Sequence, residues 1–522
     1  MKRYNMIPTA AIIAFTMLAS GCSEDILDDI NKDKSHPDDA PAKSVVSELI
    51  TNTAFTTVGG DYSLYASIYI EQEAGVHNQM FNAETRNGEP VSSTTYNNVW
   101  NSTYTNMKNA KLVIAKCTEE GGLDIGNEIT LGVAKLLLAY NAAVQTDLFG
   151  DVPFTEAGEI NPNGTPKYMQ PKIDKQENIY KDVMRLLNEA IVHFDGSDDG
   201  LNGPLGANDY IYGGDKKLWK KAAYGLKARY TMRLLGRSAN PNADLLDIID
   251  YVDMSFADAD EELKFDLYDG EATLNPLFGF SYSRDGLGAS ASLLDKFVRL
   301  NDPRASQYFA TWVTWVAGKM ITDPDEVFTA PNGTPEQGQK YYDFALVNYS
   351  LTAPTQLLSY HEIQFLKAEA LTRLNRELEA KPILQEALTA AFANQEVAIA
   401  SALYEWGFGG DVDLGAETAE QYFTDEVEAR FDTHPLQEII IQKYLAFAGA
   451  SGESVEAYND YRRLAYLGDD FIELANPKNV TQFPLRFSYG VDEVTNNVAV
   501  KEAYGNGQYV YSEPVWWAGG TR

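Results

Sequence analysis

Cysteine is almost absent: the 522 residues hold two, Cys22 and Cys117. With Cys22 accounted for below, Cys117 has no partner, so no disulfide is expected and Cys117 reads as a small buried apolar residue. Histidine is scarce too, and His36, His77, His193, His361 and His434 lie far apart without the spacing of metal ligands. Positive charge is in deficit, with 42 Lys and Arg against 75 Asp and Glu for a net charge of -33. That balance argues against a nucleic-acid partner or an anionic membrane surface, both of which need clustered cations. Beyond residue 22 no apolar run is long enough to cross a bilayer as a helix. Enzyme motifs are missing as well: there is no G-x-S-x-G elbow, H-E-x-x-H, Gly-rich phosphate loop or C-x-x-C pair. Two carboxylates would suffice for a glycosidase, yet none of the 75 acidic residues stands out as a pair. No catalytic residue is nominated.

What is present begins with a leader. Lys2 and Arg3 precede an apolar stretch, Ala10 to Ala19, and Leu18-Ala-Ser-Gly-Cys22 resembles a lipoprotein processing box. Ala19 stands where the strict box has Leu, with Leu18 one place early. The expectation is a signal peptide over 1–21, a lipid anchor on Cys22, an acidic Pro-ended tether over 22–41, and one domain over 42–522.

Helical stripes recur along that domain. Val133, Leu137, Tyr140 and Val144 follow a 3.6-residue period, as do Ile179, Val183, Leu186 and Ala190. So do Trp219 to Leu234, Ile363 to Leu374, and Ile440, Tyr444 and Phe447, with a further short helix over Ser454 to Tyr466. Paired amphipathic helices with short breaks predict a mostly α chain with a tetratricopeptide-like scaffold. Between the pairs, 161–171, 196–214, 266–288, 322–338 and 403–415 are rich in Gly, Pro, Asn and Asp, hence long surface loops. A few short strands complete the expected fold. Within the first stripe's segment, DLFGDVPF at 147–154 stops the helix: Gly150 permits a left-handed closing residue and Pro153 cannot continue the helix. Asp147 and Asp151 read as turn residues satisfying backbone groups, in preference to a metal-binding or catalytic pair.

That octapeptide, followed by Glu156 and Ala157, resembles a hallmark of the SusD/RagB family of outer-membrane nutrient-binding lipoproteins. Further landmarks follow in family order at 171–191, 211–234, 300–304 (LNDPR), 357–371, 439–466, 483–497 and 515–517 (VWW). Most of them read as scaffold: Trp219 starts a stripe, Glu362 and Lys367 are expected on the wet side of their helix, and Arg462 and Arg463 can pair with Asp460 or cap carbonyls. The resemblance implies a surface lipoprotein that catches oligosaccharide or glycan and closes it into a SusC-like TonB-dependent transporter. It also leaves room for the peptide uptake associated with RagB-like members. A surface glycosidase and a ligand-free scaffold are the remaining alternatives.

Neutral sugars call for an aromatic plane ringed by polar side chains. Three stretches offer one. In the first, Tyr62, Tyr65 and Tyr69 have helical core spacing, so the turn beyond them, His77, Asn78 and Gln79, is preferred as ligand-binding. The second is Trp312 and Trp315 with Tyr308, where core packing is an equal alternative. The third is Trp406, set in a Gly-rich break. The acidic clusters 195–199 and 258–262 lack the Gly and terminal Glu of an EF-hand loop, so structural calcium has no specific motif and no cofactor is expected.

Overall fold

Nearly every side chain from Thr130 to Phe149 is buried, so the helix that carries the first stripe is packed on all sides rather than along one face. This computed structural model describes residues 40–522 apart from 88–94, 162–163, 285, 315–316, 321–326, 336–343, 348–349, 406–411, 450 and 508. Cys22, Trp315 and Trp406 therefore lie outside the described residues. The chain from Ala42 to Arg522 forms one unit. It is mostly helical: α1 is Ala42–Asn52, α2 Asp61–Tyr69, α3 Asn78–Thr85, α4 Asn97–Thr118, α5 Glu128–Phe149, α6 Gln176–His193, α7 Lys216–Arg233 and α8 Pro241–Asp253. There follow α9 Pro276–Arg284, α10 Ala291–Arg299, α11 Tyr360–Arg373, α12 Glu377–Glu405, α13 Ala416–Tyr422, α14 Glu428–Thr433, α15 Pro435–Ala446 and α16 Ser454–Leu467, then short C-terminal helices. The α4–α8 run packs each helix on the next; α8 then meets α11, α11 packs on α12 and α15, and α16 crosses α2. Successive helices thus pack pairwise in a mostly helical fold, as expected. Among the described residues no helix is long and apolar enough to cross a membrane.

Local chemistry starts the helices where the stripes begin. Asp215 accepts from the Lys217 amide at 2.8 Å to cap α7, and Ser359 accepts from Glu362 at 3.2 Å to cap α11. The α5 start is capped from outside, because Asp198 accepts the Ile129 and Thr130 amides at 2.8 and 3.0 Å. One acidic cluster is thus used as a cap.

The strands are short. β1, Glu73–Gly75, pairs antiparallel with β5, Leu287–Ala289. β2, Val152–Pro153, pairs with β3, Ile173–Asp174, and β4, Leu263–Phe265, with β9, Thr355–Leu358. β6, Phe309–Thr314, lies between β7, Ala317–Met320, and β8, Leu346–Val347. The segment 266–288, expected as loop, contains α9 and the start of β5, because Pro276 opens a helical turn there.

Charged side chains tie the helices together inside. Arg229 of α7 donates Nε to Glu362 Oε1 at 2.6 Å and Nη2 to Glu362 Oε2. Arg233 pairs with Glu456, and its Nε lies 3.4 Å from Asp147 Oδ2. Arg463 reaches Glu369 at 2.7 Å and Asp460 at 3.0 Å, and Lys443 reaches Asp460 at 2.7 Å. Glu362 is therefore buried, not on the wet side of its helix: α11 is covered by α8, α12 and α15, and an ion pair replaces solvent. Lys367, as expected, faces outward and pairs with Asp253.

The DLFGDVPF corner is scaffold, with two differences of detail. The helix continues through Asp147 to Phe149, and Asp147 accepts from Tyr180 Oη while Arg462 Nη2 donates to its carbonyl at 3.0 Å. Burial pushes the Asp147 carboxyl up to about 6. Asp151 accepts the Gln176 amide at 2.9 Å and the Lys175 ammonium at 2.7 Å. Gly150 has φ 80° and ψ -127°, so its positive φ is not that of a left-handed cap. A Cβ there would lie 2.8 Å from Arg486 Nη1, whose guanidinium crosses the helix end.

Candidate binding shelf

The turn at His77 is held by backbone geometry before any side chain is considered. After α2 the chain passes Glu71 at φ 61°, and the buried Glu71 carboxylate takes the Ala475 and Asn476 amides at 2.6 and 2.7 Å. β1 then runs to Gly75, where a Cβ would fall 1.9 Å from the Met80 carbonyl oxygen. Only glycine lets the α3 helix fold back so closely on the strand. Val76 donates its amide to Gly286 at 2.9 Å, His77 caps α3 in an extended conformation, and Asn78 follows at φ 48°. His77 is half-buried, and Asn78 and Gln79 are exposed side by side. His77 Nδ1 and Asn78 Nδ2 are 3.2 Å apart.

Two more segments join this edge. The Ala330 amide donates to Ala289 at 2.8 Å, the Ala289 amide to Ala345 at 2.7 Å, and the Ala345 amide to Phe328 at 2.8 Å. The Pro331–Thr334 turn is clamped from both sides. Glu84 accepts the Gly333 amide at 2.6 Å and the Gly75 amide at 3.1 Å, and Asn332 accepts from the Ser292 amide and the Ser290 hydroxyl at 3.0 and 3.1 Å. Burial pushes the Glu84 carboxyl up to about 7. Ala74, Val76, Ala330 and Phe344 form a small dry cluster beneath.

On that cluster stands an aromatic stack. Phe328 lies over Phe344 with ring centroids 5.2 Å apart and planes at 14°. Phe344 is buried, whereas Phe328 is 52% exposed. An aromatic ring backed by a buried ring and itself half in solvent can stack on a flat apolar face. The cluster under it includes Val76, the residue before His77, Asn78 and Gln79, and the side-chain amides of Asn78 and Gln79 can bond hydroxyls. The Phe stack was not nominated from the sequence. Its signal is a pair of aromatics either side of the Pro-Asn-Gly turn, Phe328 within the 322–338 segment read as loop and Phe344 just beyond it.

The other nominated residues divide. Trp312 lies in β6 opposite Gly318 of β7, and β6 also pairs with β8 directly after Ala345. The strand of Trp312 thus belongs to the sheet that abuts Phe344. Tyr308 is buried against Phe297 and Phe309, so it is core, not ligand-facing. Tyr62, Tyr65 and Tyr69 are buried too, in a cluster with Tyr96, Phe149 and Phe487, as their helical spacing anticipated. Cys117 is a buried free thiol that burial pushes up to about 12. Among the described residues no group of three or more His, Cys, Asp or Glu is arranged to hold a metal ion.

A family model described as starch-binding associating with outer membrane matches residues 38–490. A SusD/RagB family protein from Bacteroides thetaiotaomicron VPI-5482 is 45% identical, with a TM-score of 0.87 over 92% of this chain and 100% of its own. The chain belongs to the SusD/RagB family. A chitin-binding protein shares the SusD-like fold at 21% identity, TM-score 0.65, over 90% of this chain and 100% of its own. A SusD homolog from Bacteroides fragilis NCTC 9343 does so at 19% identity, TM-score 0.67, over 92% and 99%. No curated protein matches. Several SusD/RagB landmarks are structural in this chain. Arg304 of LNDPR is buried, donating to Asp302 at 2.6 Å and lying 4.7 Å from the Phe392 ring centroid. Arg486 donates to the Glu513 and Arg522 carbonyls, both at 2.8 Å.

Proposed function

We propose that this SusD-like protein is anchored by lipid on Cys22 at the outer face of the outer membrane, binds oligosaccharide on the shelf, and hands it to a SusC-like TonB-dependent transporter. The observation that carries the ligand class is the exposed Phe328 ring backed by Phe344, whose buried cluster also holds Val76, the residue before His77, Asn78 and Gln79. Stacking and hydrogen bonding, without covalent chemistry, account for the affinity. The raised carboxyls at Asp147 and Glu84 do not argue for catalysis, because both are occupied by scaffold partners. The name of the chitin-binding neighbour agrees with a saccharide ligand. The net charge of -33 favours one second reading, a basic peptide.

Titration calorimetry of the full mature chain, with Cys22 replaced to keep it lipid-free, separates the two. Saturable heat with a glycan from a neutral panel, lost in Phe328→Ala, is expected. Saturable binding of basic peptides with silence across all glycans overturns the saccharide assignment.

A further inference from the structure

A recess of about 430 Å³, sharing no lining residue with the shelf, is walled by α10, by α14 and α15, and by 471–473. Its volume falls within the roughly 300–1,000 Å³ of small-ligand sites. Lys296 sits on the buried side of α10, one turn after Ser292. Its ammonium donates to the Ser292 hydroxyl at 2.7 Å and carbonyl at 3.3 Å, and lies 5.6 Å from the Tyr444 ring centroid. Among the described residues no carboxylate pairs with it. The contrast is with Lys443, the other buried lysine among the described residues, which is paired with Asp460 at 2.7 Å. Glu71, Asp295 and Glu473 act on Lys296 from beyond ion-pair distance, so its buried charge is only partly compensated and a ligand anion could pair with it directly. Burial lowers its pKa, which a bound anion would reverse.

The rest of the recess narrows the anion's chemistry. Arg299 stands half-exposed at the rim, 2.8 Å from Asp295 and 3.7 Å from Glu473. Glu438 accepts from Arg430 at 3.1 Å and from Gln442 at 2.9 Å, and each of its oxygens keeps a lone pair for a hydroxyl donor. Phe471 adds a half-buried ring. We propose that the recess binds a carboxylate-bearing sugar, a hexuronate unit, with Lys296 Nζ pairing the carboxylate, Arg299 reinforcing it and Glu438 taking a sugar hydroxyl. A peptide C-terminus would supply the same carboxylate, with N–H donors for Glu438 in place of hydroxyls; the choice of a sugar rests on the saccharide reading of the shelf.

The test is calorimetry of the full mature chain with trigalacturonate, with maltotriose as the uncharged match and glycyl-glycyl-glutamate as the peptide match. In Phe328→Ala, where neutral-glycan binding at the shelf is removed, trigalacturonate is expected to bind alone among the three, more weakly as NaCl is raised. Affinity should fall about tenfold or more in Lys296→Met, fall several-fold in Arg299→Gln, and persist in Lys296→Arg. It should also persist in Phe328→Ala, so failure of the shelf and failure of the recess are read separately. No binding of trigalacturonate, equal binding of maltotriose or of the acidic peptide in the Phe328→Ala chain, or loss of trigalacturonate binding in Phe328→Ala alone overturns the proposal. If Lys296→Met does not fold, Arg299→Gln decides, because Arg299 is on the surface: unchanged affinity there also overturns it.

Discussion

Arg229 and Glu362, from helices whose landmarks lie more than a hundred positions apart in the chain, meet in a two-pronged ion pair from which water is excluded. The pair joins α7 to α11, and Arg229 also holds the Leu357 carbonyl at 2.8 Å, so it closes the first half of the helical array onto the second.

Removing one partner strands the other charge in the interior, which costs about 3–5 kcal/mol. Glu362→Met and Arg229→Met should each lower unfolding stability by that order in urea. The double variant should recover much of the loss, because two packed methionines leave no unpaired charge. A double variant as unstable as the sum of the singles would show that the pair acts through other contacts.

The scaffold and the shelf should be separable. Phe328→Ala removes a ring already half in solvent, so the melting temperature should stay within a degree or two of the parent. Glycan affinity should drop about tenfold or more, corresponding to about 1.5 kcal/mol or more of lost stacking and apolar contact. Calorimetry and a thermal melt on the same sample check both halves.

Stability should decline as pH rises toward neutrality. Burial raises the Glu84 carboxyl from its ordinary 4.5 to about 7, so the folded chain holds that proton more tightly than the unfolded one. The contribution is complete below about 4.5 and disappears as pH rises through about 7. At 1.36 kcal/mol per pKa unit it is worth roughly 3 kcal/mol at most. Asp147, raised by burial from 3.8 to about 6, adds in the same direction. Glu84→Gln should flatten the slope of unfolding free energy between about pH 4.5 and 7; an unchanged slope would show that Glu84 is not its source.

Cys22→Ser should abolish incorporation of labelled palmitate and shift the protein from the envelope fraction to the soluble one. Continued lipidation would disprove the processing site.

The helices were legible because each carries a stripe that its neighbours bury, from Val133 to Val144 and from Trp219 to Leu234. The error at Glu362 shows the limit of that logic. A stripe assumes that every polar position faces water; α11 keeps only a partly exposed side, at Lys367 and Arg373, so at Glu362 a charge that reads as surface is in fact paired inside. Asp147 and Asp151 bond Tyr180, Arg233 and Gln176, partners too distant in sequence for any local pattern to reveal. At the shelf, His77, Asn78 and Gln79 could be nominated from a local turn. Phe328 and Phe344 could not, since neither sits on a periodic element and their stack exists only through tertiary pairing with Ala289 and Ala345.

The shelf draws its parts from β1, β5, the turn after Phe328 and the strand after Phe344, and each backbone bond among them closes a long loop. Such contacts form slowly, after the local contacts of the helix pairs are in place. Refolding should therefore be biphasic, with helical signal returning before ligand-binding competence. A newly exported chain would pass through an interval in which its frame is complete and it cannot yet hold a ligand.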